Sequence, residues 1–311
     1  ITIEDGFKWV MRGDISHVSN LSIEEVSRIH YRGGSFIRVA RDNPTKDPEY
    51  LENTINSLLR LNIDMLITIG GDDTAYSALM LEEKANGRIK VVHVPKTIDN
   101  DLDLPYGINT FGFQTARHIG AQIVENLMID ALTATRWYFV ITMGRKAGHL
   151  ALGVGKATAA TLTVLPEEFS GKNKLTLEKL TDILVGSIIK RLSFGREYGV
   201  AVLAEGLVEA MSEESLKDLP NLERDAHGNI RFAEVNFGEI IKKKVQARLA
   251  QFNIKTTVVA KNLGYEMRCA DPTPYDMEYS RDLGYCAAKY ILEGGNRAMV
   301  SIQNGKFVPM F

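Results

Sequence analysis

Short runs of consecutive apolar residues recur along the chain, separated by longer segments of mixed polarity. Such runs predict strands that are buried on both faces, as in parallel sheets covered by helices. The predicted strands are 64–69, 89–94, 137–143, 162–165, 199–204, 256–260 and 299–303. The predicted helices are 74–84, 147–160, 177–192 and 277–293. The pattern therefore predicts an α/β fold with mostly parallel sheets.

The composition of the 311 residues excludes several classes of protein. The 37 basic and 39 acidic side chains give a net charge of −2, without the basic excess of a nucleic-acid-binding protein. No apolar run approaches the ~18 residues that span a bilayer. Only Cys269 and Cys286 occur, too few for a disulfide framework. We expect a soluble cytoplasmic enzyme or binding module that binds neither nucleic acid nor membrane.

Polar, glycine-rich motifs follow directly after several predicted strands. Ligands of open α/β sheets bind beyond the carboxyl ends of the strands. The motifs are GGDD (70–73), PKTIDND (95–101), MGRKAGH (143–149), Glu205-Gly206 and GYEMR (264–268). In GGDD, two glycines allow a sharp turn and the approach of an oxyanion to the following helix. Asp72 could then hold Mg²⁺ together with substrate phosphates. A plain strand-to-helix turn with an aspartate N-cap explains this motif equally well.

The PKTIDND motif places two carboxylates, Asp99 and Asp101, beside the hydroxyl of Thr97 and the cation of Lys96. Two carboxylates this close disfavour each other's ionisation unless a metal or a cation intervenes, so they can take different roles. One could accept a proton from an attacking hydroxyl, while the other holds a metal or steadies the nucleophile. A turn stabilised by an aspartate side chain is the alternative.

The MGRKAGH motif places Arg145, Lys146 and His149 at the start of a predicted helix. Because a helix N-terminus already favours anions, added cations indicate a negative ligand. A structural role is the alternative, and His149 alone fits packing or capping better than catalysis. Together the three motifs predict phosphoryl transfer, with cations and Mg²⁺ around the moving group and a carboxylate as base. The sequence contains neither a Walker A motif nor a protein-kinase signature.

In this order, GGDD, PKTIDND, TFGFQTA (110–116), MGRKAGH and GYEMR resemble the phosphofructokinase family, and more closely its pyrophosphate-dependent branch. The likeness runs from about residue 32 to residue 304. It implies two three-layer α/β domains with the active site in the cleft between them. Residues 1–112 and 266–303 would form the donor side, and 113–265 and 304–311 the sugar side. It also implies a homodimer or larger homo-oligomer.

The resemblance further implies Mg²⁺-dependent transfer of a phosphoryl group from pyrophosphate to the 1-hydroxyl of fructose 6-phosphate, a step of glycolysis. Asp99 would be the base and Asp101 would assist it, while Asp72 would bind Mg²⁺. The other donor-side and catalytic residues would be Gly71, Asp73, Arg41, Lys96, Thr97 and Arg145. The sugar phosphate would contact Met143, Gly144, Glu205, Tyr265, Arg268 and, from a neighbouring subunit, Arg136.

Two positions favour pyrophosphate over ATP. The ATP-using branch has glycine in place of both Asp73 and Lys96. A carboxylate at position 73 would repel the α-phosphate of ATP, whereas Lys96 suits the compact pyrophosphate. The alternatives are an ATP-dependent 6-phosphofructokinase, a non-catalytic regulatory subunit of the same fold, and a kinase acting on NAD or a lipid. The retained Asp99, Arg145 and Arg268 favour a catalytic fructose 6-phosphate enzyme.

Two features depart from the family pattern. Members open with a strand and a glycine-rich phosphate loop ahead of the segment that matches residues 1–30, and this sequence contains no such loop. We therefore expect the chain to be part of a longer protein. Many members also have two glycines after the arginine of GYEMR, where this chain has Cys269, Ala270 and Asp271. The polar segment 209–239 is predicted to be a surface insertion with a turn at 225–229.

Overall fold

The computed structural model describes residues 1–169, 174–217 and 236–311, so the turn predicted at 225–229 lies outside the described residues. The strands are β1 (Thr2–Ile3), β2 (Val18–Ser19), β3 (Met65–Gly70), β4 (Lys90–Pro95), β5 (Trp137–Thr142), β6 (Leu162–Val164), β7 (Gly199–Ala204), β8 (Val258–Leu263), β9 (Ala298–Gln303) and β10 (Lys306–Met310). The α-helices are α1 (Ile23–Val26), α2 (Pro48–Arg60), α3 (Asp72–Ala85), α4 (Phe113–Thr133), α5 (His149–Thr158), α6 (Leu177–Ser193), α7 (Glu213–Lys217), α8 (Phe237–Ala250) and α9 (Pro274–Leu292). Short 3₁₀ helices occupy Val10–Arg12, Ile29–Tyr31, Pro44–Lys46, Pro166–Glu168, Glu205–Val208 and Tyr265–Met267.

The chain separates into two compact units. Unit 1 consists of Ile1–Thr97, Leu102–Thr115 and Arg268–Phe311, and unit 2 of Ile98–Asp101 and Ala116–Met267. Each unit is built on a four-stranded sheet, with the order β10-β9-β4-β3 in unit 1 and β6-β7-β5-β8 in unit 2. Within these two sheets, neighbouring strands are parallel except the pair of β9 and β10. Strands β1 and β2 form a separate antiparallel pair. The α/β fold with mostly parallel sheets is confirmed.

Helices cover both faces of the unit 1 sheet at its centre. On one face, Val91 of β4 packs with residues of α2 and α3: Leu51, Ile55, Leu58, Ala78, Leu81 and Ala85. On the other face, Val92 and Val94 pack with residues of α9: Tyr279, Leu283, Ala287 and Ile291. Because successive strand side chains alternate between faces, this one strand contributes to two cores. Unit 1 therefore has three layers.

Strand β3 is less buried than its apolar sequence predicts. Met65, Ile67 and Ile69 are 37%, 39% and 53% exposed. The pairing of Ile67 with Val92 places these side chains on the α9 face of the sheet. The prediction of a fully buried strand is therefore wrong for β3. It is the edge strand of the sheet, so these side chains lie at the border of the face that α9 covers.

Strand β10 belongs to unit 1, whereas the sequence analysis places residues 304–311 with the sugar-side domain. Asn304 and Gly305 have φ values of 52° and 72°. Two successive residues with positive φ form the tight turns that suit β-hairpins. The chain therefore returns beside β9, and Phe307 pairs with Ile302 in the antiparallel register. This short turn keeps the end of the chain in the same sheet.

Unit 2 contains the most deeply buried strands. Every residue of β5 and β7 is buried, which is why both read as uninterrupted apolar runs. Strand β8 lies at the edge of the sheet and continues beyond the predicted end at residue 260 through the exposed Lys261 and Asn262. None of the helices in the described ranges combines the length and apolar character needed to span a bilayer.

Candidate active site

The GGDD motif forms the turn between β3 and α3 in unit 1. Gly71 is the N-cap of α3, and Asp72 and Asp73 lie in its first turn, so the alternative with an aspartate N-cap is wrong. Gly70 is required by a close approach, since a Cβ atom there would lie 2.3 Å from Thr74 Oγ1. The positive end of the helix dipole stabilises carboxylates in the first turn and would equally attract a phosphate.

Lys96 and Thr97 lie directly beside this turn. The parallel pairing of β3 and β4 sets Gly70 opposite Pro95, and the backbone N–H of Lys96 donates to the Gly70 carbonyl oxygen at 2.7 Å. The Thr97 carbonyl oxygen accepts a hydrogen bond from Thr110 Oγ1 of the TFGFQTA motif at 2.6 Å. Strand pairing thus brings three motifs together. The unit 1 cluster is defined as Gly71, Asp72, Asp73, Lys96 and Thr97.

Arg41 lies on the loop that leads to α2 and is exposed. Two residues further on, Asn43 Oδ1 lies 3.5 Å from Ser77 Oγ of α3, and the same hydroxyl donates to the carbonyl oxygen of Asp73 at 2.9 Å. The adjacent Asp42 pairs with Arg12 at 2.6 Å. These contacts hold the Arg41 segment against the first turns of α3, close to the unit 1 cluster.

A buried histidine that the sequence analysis does not single out lies beneath this cluster. His93 of β4 is 3% exposed, with Nδ1 2.9 Å from Thr68 Oγ1 and Nε2 3.1 Å from the Gly70 carbonyl oxygen. A carbonyl oxygen can only accept, so Nε2 carries the proton and Nδ1 accepts from the threonine hydroxyl. Burial lowers the pKa of His93 from 6.5 to about 4, against the opposing effect of the Gly70 hydrogen bond. The signal in the sequence is a single polar residue inside the apolar run VVHV.

We expect the free energy of unfolding to decrease as the pH falls from about 6.5 to about 4. The lowered pKa of His93 means that the unfolded chain binds a proton at a higher pH than the folded chain. Its neutral form is thus favoured in the fold, and this stability is lost as the pH falls through the folded pKa. The effect is about 3 kcal/mol. Urea unfolding between pH 7 and pH 4 would measure it, and His93→Gln, which cannot titrate, should show a correspondingly weaker pH dependence. An unchanged pH dependence in the variant would contradict the expectation.

In unit 2, the MGRKAGH motif forms a tight turn between β5 and α5. Arg145 adopts the left-handed conformation with a φ of 49°. Glu205 Oε1 accepts hydrogen bonds from the backbone N–H groups of Gly144 at 3.0 Å and Arg145 at 2.8 Å. Because β5 and β7 are parallel neighbours, the residues that follow them meet at the same sheet edge. One carboxylate oxygen of Glu205, the predicted sugar-binding residue, therefore holds the Gly144–Arg145 turn.

The predicted base lies beside this arginine. Asp99 is 6% exposed, and its Oδ2 atom is 4.0 Å from Arg145 Nε. The next residue, Asn100, has a φ of 54°, and its carbonyl oxygen accepts from His149 Nδ1 at 2.6 Å. Asp101 follows in the same loop and is partly exposed. His149 thus contacts the backbone between the two aspartates. The unit 2 cluster is defined as Asp99, Met143, Gly144, Arg145, Glu205 and Tyr265.

Two carboxylates of the chain itself, Glu167 and Glu209, bind groups at the start of α5. Glu167 Oε1 accepts from the backbone N–H of Gly148, the N-cap of α5, at 2.7 Å. Glu209 Oε2 lies 3.6 Å from Lys146 Nζ. The inference that cations at this helix start require an external anion therefore does not hold for Lys146. The ion pair with Asp99 instead joins Arg145 to the unit 2 cluster.

A cavity of about 240 Å³ in unit 2 brings together three of the predicted sugar-side residues, Met143, Glu205 and Tyr265. Its other lining residues are Ile141, Val208, Phe237, Asn262, Leu263, Gly264 and Glu266. Glu266 Oε2 accepts from the backbone N–H of Gly264 at 3.1 Å, a hydrogen bond within the part of the GYEMR loop that lines the cavity. Sequence reasoning missed Phe237 and Asn262, because neither lies in a recognisable motif.

Two predicted sugar-side residues lie outside the unit 2 cluster. Arg136 precedes β5, whereas Met143 follows it, a separation of about 20 Å for six strand residues. Its Nε atom is 3.6 Å from Asp130 Oδ2. Arg268 is the first residue of the last segment of unit 1. Neither arginine is among the residues that line the cavity.

The residues after Arg268 pack against a glycine pair earlier in the chain. A Cβ atom at Gly33 would lie 2.3 Å from the Cys269 carbonyl oxygen, and a Cβ atom at Gly34 would lie 3.9 Å from Cys269 Sγ. The backbone N–H of Gly33 lies 3.4 Å from Asp271 Oδ1. Gly33 is therefore required by the close approach of the backbone of residues 269 and 270.

The acidic side chains determine whether this chain could bind Mg²⁺. Within the described ranges, no group of three or more His, Cys, Asp or Glu side chains could hold a metal ion. Mg²⁺ is typically bound by one or two carboxylates together with water and substrate phosphates. Asp72, exposed in the first turn of α3, can supply such a ligand beside a phosphate site. The residues thus fit a magnesium ion that is bound together with a phosphate.

Comparison with known proteins identifies the family. The phosphofructokinase family model matches residues 1–291. A protein of Thermotoga maritima named pyrophosphate–fructose 6-phosphate 1-phosphotransferase is 51% identical over 294 residues, covering 94% of this chain and 70% of that protein. A protein of the same name from Naegleria fowleri is 47% identical over 314 residues, covering 98% of this chain and 72% of that protein.

Solved structures share the fold at lower identity. Phosphofructokinase from Saccharomyces cerevisiae superposes with a TM-score of 0.77 at 21% identity, over 99% of this chain and 40% of the yeast chain. A pyrophosphate-dependent phosphofructokinase from Marinobacter aquaeolei gives a TM-score of 0.67 at 19% identity, over 93% of this chain and 67% of that one. This chain thus spans less than half of the yeast chain. With the family model matched over most of its length, the chain belongs to the phosphofructokinase family.

Proposed function

We propose that this chain transfers a phosphoryl group from pyrophosphate to the 1-hydroxyl of fructose 6-phosphate, giving fructose 1,6-bisphosphate and phosphate. Two relatives at 51% and 47% identity carry the names of both substrates. The structural observation that carries the choice of donor is the placement of Asp73 and Lys96. Asp73 lies in the first turn of α3, which follows β3, and Lys96 follows β4, the parallel neighbour of β3. The carboxylate of Asp73 would repel the α-phosphate of a nucleotide, whereas the ammonium group of Lys96 would attract a compact anion, so pyrophosphate is the better ligand.

The unit 2 cluster supports the acceptor half of the reaction. The 1-hydroxyl oxygen attacks a phosphorus atom of pyrophosphate, the bond to the bridging oxygen breaks, and phosphate leaves. The hydroxyl proton passes to Asp99, which Arg145 positions through the contact at 4.0 Å. Asp101 assists from the same loop. Met143, Gly144, Glu205 and Tyr265 bind the sugar in this proposal, with Arg268 and Arg136 on its phosphate.

The unit 1 cluster supports the donor half. The first turn of α3 offers backbone N–H groups and a favourable dipole to the phosphates. Thr97 contacts the transferring group, while Gly71, Lys96 and Arg41 bind the rest of the donor. When bound, Mg²⁺ neutralises phosphate charge, and Asp72 would hold it. In this proposal unit 1 binds the donor, and unit 2 binds the sugar together with Arg268 of unit 1.

The setting and assembly are also proposals. Cys269 and Cys286 are free thiols, in keeping with a reducing, cytoplasmic compartment. Arg136 lies at the opposite end of β5 from Met143. It could therefore serve the sugar-phosphate site of a second copy in a homodimer or larger homo-oligomer.

Steady-state assays with each donor test the proposal. We expect kcat/KM with pyrophosphate to exceed that with ATP by at least about 100-fold, because like-charge repulsion of this kind costs several kcal/mol. Asp73→Gly should raise kcat/KM with ATP by about tenfold or more. Glu49→Gly, which removes a carboxylate from the first turn of α2, is the matched control and should leave the donor ratio unchanged. A higher kcat/KM with ATP in the unaltered chain would reverse the assignment, and no turnover with either donor would favour a regulatory subunit.

A further inference from the structure

We infer that His93 is a positioning residue that fixes the GGDD turn in the conformation that binds the phosphoryl donor. The identity of the donor rests on the proposed function, whereas the positioning role rests on contacts between β3 and β4. The Gly70 carbonyl oxygen accepts two hydrogen bonds where the strand becomes the turn. One comes from the Lys96 backbone N–H at 2.7 Å and the other from His93 Nε2 at 3.1 Å.

The imidazole is fully engaged at a position where the strand is otherwise apolar. Val91, Val92 and Val94 surround His93 in sequence, and all four residues are buried. Burying a polar group costs free energy unless the group is hydrogen-bonded. Both ring nitrogens of His93 make a hydrogen bond. Thr68 pairs with His93 in the sheet, so the ring bridges from its direct neighbour to a carbonyl two residues nearer the strand end.

The hydrogen bond to Gly70 acts on the turn through the peptide that joins the two glycines. A peptide unit is planar, so fixing the direction of the Gly70 carbonyl also fixes the direction of the Gly71 N–H. Gly71 is the N-cap of α3, at the end of the helix where a phosphate would bind. Two successive glycines have wide conformational freedom, which these two hydrogen bonds restrict. His93 therefore influences the donor without touching it.

Three variants test this role in the purified protein. His93→Leu removes the donor to Gly70 and keeps the site apolar. His93→Gln retains an amide N–H that can reach the same carbonyl oxygen. Ser57→Ala is the matched control, since it removes a buried hydrogen bond of 2.9 Å, to the Val10 carbonyl oxygen, elsewhere in unit 1. Each variant is characterised by KM for both substrates and by hydrogen exchange of the amides of residues 71–74.

We expect His93→Leu to raise KM for pyrophosphate about tenfold, the worth of one net hydrogen bond, with KM for fructose 6-phosphate changed less than twofold. Amide exchange at residues 71–74 should accelerate by a similar factor. His93→Gln should restore both values, and Ser57→Ala should change neither. Equal increases in both KM values, or an unchanged KM for pyrophosphate in folded His93→Leu, would overturn the inference.

The test still decides the inference if His93→Leu does not fold or if the unaltered protein shows no turnover. If His93→Leu does not fold, His93→Asn replaces it, because the shorter amide stays near Thr68 and does not reach Gly70. Asparagine should then raise KM for pyrophosphate, and a normal value would overturn the inference. If the unaltered protein shows no turnover with pyrophosphate, the proposed function fails. The exchange of amides 71–74 then decides the positioning role alone, and equal rates in His93→Leu and the unaltered protein would refute it.

Discussion

Replacement of Asp99 by asparagine is expected to lower kcat by a factor of about 10² to 10⁴, the usual contribution of a general base. Asp99 is buried with its Oδ2 atom 4.0 Å from Arg145 Nε, so the asparagine amide fits the same space but cannot accept the sugar proton. Substrate binding uses other side chains, and KM for each substrate should change only a few-fold.

Single-turnover and steady-state rates with saturating pyrophosphate and fructose 6-phosphate would measure this loss. Asp103→Asn is the matched control, because it makes the same change at an exposed position four residues further along the chain. Its kcat and melting temperature should match those of the unaltered protein. Undiminished turnover in Asp99→Asn would show that this carboxylate is not the base, and the acceptor half of the proposed mechanism would have to be abandoned.

Replacement of Asp276 by alanine is expected to lower the free energy of unfolding by about 3–5 kcal/mol. Asp276 lies in the first turn of α9 and is 3% exposed. Its Oδ1 atom accepts from the Gly112 N–H at 2.8 Å, and its Oδ2 atom from the Thr115 N–H at 2.7 Å and Thr115 Oγ1 at 2.6 Å. Alanine would leave these donors without the carboxylate, and the TFGFQTA motif would lose these three hydrogen bonds to α9.

Urea denaturation would measure the change. Asp276→Asn should be intermediate, because the amide keeps one of the two acceptor oxygens. Asp282→Ala, an exposed aspartate two turns further along α9, is the matched control and should cost less than about 0.5 kcal/mol. A loss below about 1 kcal/mol in Asp276→Ala would mean that these hydrogen bonds contribute little net stability.

The sequence contains a start signal for α2, a helix that the sequence analysis does not predict. Asp47 is the N-cap of α2 and accepts from the Glu49 N–H at 2.9 Å, with Pro48 as the first helical residue. An N-cap aspartate followed by proline is a start signal that is readable from sequence. The helices α4 and α8 are likewise absent from the sequence prediction. A prediction based on apolar runs finds buried strands first and can miss helices even between two predicted strands, where α4 and α8 lie.

The sequence by itself determined the strands that are buried on both faces. Every residue of β5 and β7 is buried, so each strand needs apolar side chains at successive positions and is visible in the sequence as an uninterrupted apolar run. It also determined which residue types follow each strand, and these motifs carried the resemblance to the family that the comparison establishes. Both are local properties, because each depends on what one short segment must satisfy.

Strand order decided what the sequence left open. The edge position of β3 exposes Ile69, although its sequence is as apolar as that of a central strand. The bonds of His93 to Gly70 and of Glu205 to the Gly144 N–H join residues 23 and 61 positions apart. No local pattern encodes such partners, since they meet only when parallel strands pair in one register. Tertiary structure alone therefore decided which polar side chains hold the GGDD and MGRKAGH turns in place.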